Sequence, residues 1–273
     1  MPLRKQIGTG LWSLAFLTFG WLLIPSSGFA QQPFYTDNAD VTDHKKFHFQ
    51  MSNEYDVLQR SAYPALRQNT AVFELDYGLF NGVEIGIDGP LIAISNSHVV
   101  TPKTPFGGGD LDLHVKYNFL KEHEGSWLPA LTATFNAEVP TGNAREQLGS
   151  GFADYFLNGV LQKSLTKKTM LRLNGGILFA GNTTTGDIGI RSRGKAFVGG
   201  ASLVKQITTR LDLGAEVTGA VTTSLKLSRG QLQTLIGGNY ALTKKMTFDF
   251  GVLGGKFSAS PRLGAQLGIS LDF

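Results

Sequence analysis

From Leu111 to Phe119 the chain alternates strictly: Leu111, Leu113, Val115, Tyr117 and Phe119 fall on one side, and Asp112, His114, Lys116 and Asn118 on the other. A period of two marks a strand whose two faces meet different surroundings, and no helix would sort residues this way. The same split recurs with Ala71, Phe73, Leu75, Tyr77 and Leu79 against Glu74, Asp76 and Gly78. It returns with Val83, Ile85 and Ile87 against Glu84, Gly86 and Asp88. Further segments run from Leu131 to Val139, Leu171 to Phe179 and Leu211 to Val217, and three more follow near the end, the last from Leu263 to Phe273. Weaker alternation at Phe47 to Met51, Tyr155 to Leu161 and Ala196 to Val204 leaves open which face is outward. The segments number twelve, and each has about the ten residues that a tilted strand needs to cross a bilayer.

The connections support the same architecture. Longer ones span Tyr55 to Asn69, Ile94 to Gly108, Pro140 to Phe152, Gly181 to Arg193 and Thr222 to Arg229. They alternate with short ones at Phe80 to Gly82, Lys121 to Trp127, Leu165 to Lys168, Gln206 to Thr209 and Thr243 to Lys245. Short turns at one end and long loops at the other are the habit of outer-membrane barrels. The pattern predicts an all-β fold: a transmembrane, antiparallel, up-and-down β-barrel of about 12 strands over residues 45–273, with both termini periplasmic. Phe273 ends the last strand on the outward parity, the position of a C-terminal aromatic that the barrel assembly machinery would read as an assembly signal.

The N-terminus reads differently. Arg4 and Lys5 precede an apolar run from Leu11 to Ile24, then Pro25 and a small-residue stretch closing on Gly28, Phe29 and Ala30. Residues 1–30 thus read as a secretory signal peptide cleaved after Ala30, too short in its apolar part for a membrane span of about 20 residues. Residues 31–44 would be a periplasmic N-terminal segment or a short plug. A mean hydropathy of −0.02 does not contradict a membrane protein, because lipid-facing and lumen-facing residues average out in a barrel. The chain has no cysteine, which excludes a disulfide scaffold, a thiol nucleophile and a lipoprotein anchor. Loss of Arg4 and Lys5 leaves 23 basic residues of the original 25 against 21 acidic ones. Those cations are scattered among turns, so no nucleic-acid partner is expected.

Several stretches, Pro33–Val41 (PFYTDNADV), Glu74–Pro90 (ELDYGLFNGVEIGIDGP), Gly107–Tyr117 (GGGDLDLHVKY), Glu138–Gly142 (EVPTG) and Gly149–Asp154 (GSGFAD), come in the order found in a known family. Together they resemble the outer-membrane family labelled "MetA-pathway of phenol degradation". The resemblance implies a transporter-like barrel linked by name to aromatic compounds, in the outer membrane of a Gram-negative bacterium. It brings no catalytic or binding residues to carry over.

Enzyme chemistry is weakly represented. Gly107, Gly108 and Gly109 precede a strand without the Lys-Ser/Thr of a phosphate loop, and the five histidines show neither HExxH nor paired spacing, so no metal or other cofactor is expected. His114 points inward and His98 sits beside Ser97 with no third partner, which disfavours an outer-membrane hydrolase. The inward parity is instead acidic. Glu74, Asp88, Asp112, Glu216 and Asp249, with the inward cations Lys116 and Arg172, form the candidate lumen lining and selectivity set. At the outer mouth Asp110, Glu138 and Asp154 should gather on one arc, their counter-charge either Arg145 in the intervening loop, which makes the cluster a clasp, or a passing or bound cation, which makes it a selectivity filter or an oxygen-ligand site. Loop cations such as Arg60, Arg67 and Lys103 could meet lipopolysaccharide phosphates. Two functions remain open: a channel for passive uptake of small solutes, aromatic or hydrophobic ones if the resemblance guides, and a closed barrel with a structural or surface-recognition role.

Overall fold

The computed structural model describes residues 32–60, 66–97, 102–179, 195–222, 230–257 and 259–273. The signal segment, the Ala30 junction, His98 and most of the loops from Gly181 to Arg193 and from Thr222 to Arg229 lie outside these residues. The strands are β1 (Phe47–Val57), β2 (Arg67–Phe80), β3 (Val83–Ser95), β4 (Phe106–Gly108), β5 (Leu111–Leu120), β6 (Ala130–Val139) and β7 (Asp154–Thr166). They continue with β8 (Thr169–Phe179), β9 (Lys195–Gln206), β10 (Leu211–Thr222), β11 (Gln231–Ala241), β12 (Met246–Lys256) and β13 (Leu263–Asp272). The only other regular element among the described residues is one 3-10 turn, Ala144–Glu146.

Twelve of these strands form a closed antiparallel ring. Sequential neighbours pair from β5 to β13, β13 pairs with β1, β1 with β2, β2 with β3, and β3 with β5. The short β4 is an addition: it lies on Leu91–Ala93 of β3, beyond the stretch that β5 covers. Closure leaves no edge, so every backbone group in the wall can be paired within the sheet.

The seam between β1 and β13 sets the ends of the barrel. His48 stands opposite Asp272, and Phe47 and Phe273 exchange two backbone hydrogen bonds of 2.8 and 3.0 Å. The start of β1 and the C-terminus therefore share one end, and the short connections lie there too. Asn81-Gly82 and Lys167-Lys168 are two-residue turns, and in the first Gly82 takes φ 81°, a left-handed conformation that glycine adopts without steric cost.

The alternation sorts as expected. Phe73, Leu75, Ile85, Ile87, Leu113, Val115, Tyr117 and Phe135 are exposed on the outer face, while Asp76, Glu84, His114, Lys116 and Thr134 are buried inside. The undecided segments are settled by register. Met51 and Tyr55 face outward with His48, Gln50 and Ser52 inward, Tyr155 and Leu157 outward with Asn158 inward, and Phe197 and Leu203 outward with Ser202 inward.

Candidate functional site in the barrel lumen

Residues 32–42 run through the interior, and Asp43 and His44 are exposed where the segment turns into β1. Phe34 packs with Val204, Leu235 and Leu253 of three different strands. Tyr35 and Thr36 donate their backbone amides to the two oxygens of Glu216, at 2.9 and 2.6 Å. The Tyr35 hydroxyl donates to Glu54, and Thr36 Oγ1 to Ser202. Lys116 Nζ donates to Asp37 at 2.7 Å and to Asn38 at 3.2 Å. The Ala39 carbonyl accepts from Asn118 and Thr132, and the Thr42 amide donates to Glu84. Thr36 and Ala39 are fully buried as a result. These contacts absorb polar groups that the alternation merely placed on the inner face.

The inward acids have an order that sequence alone did not reveal. Glu74 stands opposite Asp88, Asp88 opposite Asp112, Asp112 opposite Glu138 and Glu138 opposite Asp154. Five carboxylates thus occupy one register row across β2, β3, β5, β6 and β7. Strands of a barrel tilt by about 35–45°, so a row perpendicular to them climbs along the wall. It runs from mid-barrel at Glu74 to the long-loop end at Asp154. Asn136 donates to Asp112 at 2.9 Å and tempers one member of the row.

At the long-loop end Arg145 does not act as the clasp of the acids. Asp110 accepts the backbone amides of Gly142 at 2.8 Å and Ser150 at 2.7 Å, which fold the loop from Pro140 to Phe152 down onto it. Arg145 sits exposed in the 3-10 turn with its backbone amide on Asn143, and it forms no ion pair among the described residues. Backbone N–H groups replace the arginine because they are already fixed in the loop, whereas a long side chain would lose rotamer freedom. Of the other candidates, Asp249 is fully buried and accepts from Asn239 and Ser270, both at 2.7 Å. Arg172 stands near Asp37, Asp40, Asp212 and Glu216. Phe273 is exposed and stacks on Phe47 with ring centroids 5.7 Å apart.

No family model matches the chain, and no curated protein matches it. Solved structures do. The COG4313 outer membrane channel from Pseudomonas putida F1 superposes with a TM-score of 0.64 at 16% identity, over 87% of this chain and 99% of that one. The NanC porin gives 0.54 at 11% identity, over 82% and 98% of the respective chains. The KdgM porin, solved with disordered oligogalacturonate, gives 0.51 at 10% identity, over 83% and 99%. At such identities the likeness is one of fold: the chain has the closed barrel architecture of outer-membrane channels and porins.

Proposed function

We propose that the protein is an outer-membrane channel for passive uptake of small solutes, its lumen narrowed by its own residues 32–42. The carrying observation is the sorting of the two faces of a closed twelve-stranded ring. A continuous band of large apolar side chains faces outward, and carboxylates, amides and a lysine face inward. An apolar band of that extent is stable against lipid and not against water. A polar inner wall suits passage of water and solute, and the acid row from Glu74 to Asp154 favours cations over anions. The resemblance to the phenol-degradation family is what suggests aromatic solutes. Secretion through cleavage after Ala30, periplasmic termini, assembly through Phe273 and contact with lipopolysaccharide belong to the same reading.

Planar-bilayer recording of the refolded mature protein tests it. Small conductance steps are expected, larger ones in a variant lacking residues 31–44, and a reversal potential shifted toward cations in both. Absence of conductance in the full-length protein and in the deletion variant alike, with both migrating as folded barrels, would instead establish the closed structural barrel. Loss of cation preference on changing Asp88 and Asp112 to Asn assigns selectivity to the row.

A further inference from the structure

A second register row lies two residues closer to the short turns: His48 on β1, Asp76 on β2, Gly86 on β3 and His114 on β5. β2 and β5 are not neighbours, since β3 runs between them. Their side chains meet only because the intervening residue is glycine. A Cβ at Gly86 would lie 2.1 Å from Asp76 Oδ1 and 2.4 Å from His114 Nε2. Without it, those two atoms stand 3.0 Å apart above the β3 backbone.

Three features make this more than an ion pair. Asp76 is 2% exposed, yet its Oδ1 accepts no aligned hydrogen bond, so the nearby ring nitrogen is close without being aimed at it. Glu74 supplies another oxygen: ligand atoms of Glu74, Asp76 and His114 all lie within 4.8 Å of one another. Independently, His48 is 4% exposed and holds Asp272 through Nδ1 at 2.7 Å, while its Nε2 has no hydrogen-bond partner. His48 lines a cavity of about 10 Å³ together with Asp76 and Glu84, space for about one water molecule or ion. Lys116, which lines the same cavity, is committed to Asp37 and Asn38.

We propose that Glu74, Asp76 and His114 bind one divalent first-row transition-metal ion of the zinc class, beside the cavity that Asp76 and His48 line. A mixed carboxylate and imidazole set suits such an ion, which takes nitrogen and oxygen donors at tetrahedral spacing, and does not suit calcium or magnesium, which take oxygens alone. The ion supplies positive charge where buried carboxylates exceed their cations. It ties β2 to β5 across β3, beside Asn38, Asp40 and Thr42 of the N-terminal segment, which line the same cavity. The site needs the folded barrel but not conduction, so it stands or falls separately from the channel reading.

The test is calorimetric titration of chelator-stripped, refolded mature protein with zinc chloride in a non-coordinating buffer, together with X-ray absorption of the loaded sample. One zinc per chain is expected, with nitrogen and oxygen neighbours at about 2.0–2.2 Å. His114→Gln and Asp76→Asn should each weaken binding by at least about ten-fold. Gly86→Ala retains every ligand but wedges a methyl between them, and it should weaken binding comparably. His123→Gln, in an exposed turn, should change nothing. Heat-dependent migration shows which variants have closed, and if one ligand variant fails to fold the other two decide. No zinc uptake by the wild type, unchanged affinity in the folded variants, or calcium binding in place of zinc overturns the proposal.

Discussion

Glu216 shows how one side chain can hold a segment nearly two hundred positions away. Its two oxygens accept the adjacent amides of Tyr35 and Thr36, which have no strand to pair with. Glu216→Ala leaves both amides buried and unsatisfied, at about 1–3 kcal/mol each. Residues 32–44 should then exchange amide hydrogen faster and become accessible to protease, while strand protection persists. Glu216→Gln should recover only part of the loss, because its amide nitrogen cannot accept. Unchanged exchange in the alanine variant would mean that the Phe34 cluster alone docks the segment. Alternation had placed Glu216 on the inner face, but its amide partners were invisible because they lie in a stretch with no periodicity of its own.

Among the elements, the turn between β5 and β6 carries a local pair that reads pH. Glu122 receives Lys163 Nζ from β7 at 2.6 Å and the Ser164 amide at 2.9 Å. Partial burial pushes its carboxyl upward, but the hydrogen bonds to Lys163 and Ser164 and the lysine charge outweigh burial and hold it below the ordinary glutamate value of 4.5. A lowered acid stabilises the folded state above its unfolded value and loses that contribution as the pH falls through the lowered folded value. The pair should therefore contribute about 0.5 kcal/mol near neutral pH, in the range of exposed pairs, and nothing in strong acid. Urea unfolding of Lys163→Met against wild type checks it: the two midpoints should differ at pH 7 and converge in acid, once the pH has fallen through the lowered folded value. A constant difference across that range would assign the effect to packing of the lysine stem. At this same scale the strands themselves were legible, since each carries a run of alternation, and β4 was not. Phe106–Gly108 is too short for a period to show, and only the uncovered end of β3 gives it a partner.

At the scale of the whole barrel, the ring closes through β1 and β13, and Phe273 completes the seam with two backbone hydrogen bonds to Phe47. Deleting Phe273 removes both, each contributing about 0.5–1.5 kcal/mol, together with the ring stack. The heat-modifiable, folded fraction recovered from outer membranes should fall further than after a change in an outer loop such as Arg145→Ala. Equal recovery would remove both the seam contribution and the assembly role. A refolded sample with a helical circular-dichroism spectrum would contradict the barrel outright.

What the sequence determined by itself was the twelve strands of the wall, their alternating direction, the face presented in the nine clearly alternating segments, and which connections are short. These follow from period and spacing, quantities local to a dozen residues or fewer. Tertiary structure decided everything that depends on register between strands. The row from Glu74 to Asp154, the meeting of Asp76 with His114 over Gly86, and the threading of residues 32–42 through the lumen all need the offset of one strand against the next. Alternation has the same form at every offset of two residues, so it fixes the face and leaves the neighbour across the sheet undetermined. Closure of the ring removes that freedom, because each strand must satisfy a neighbour on both sides at once.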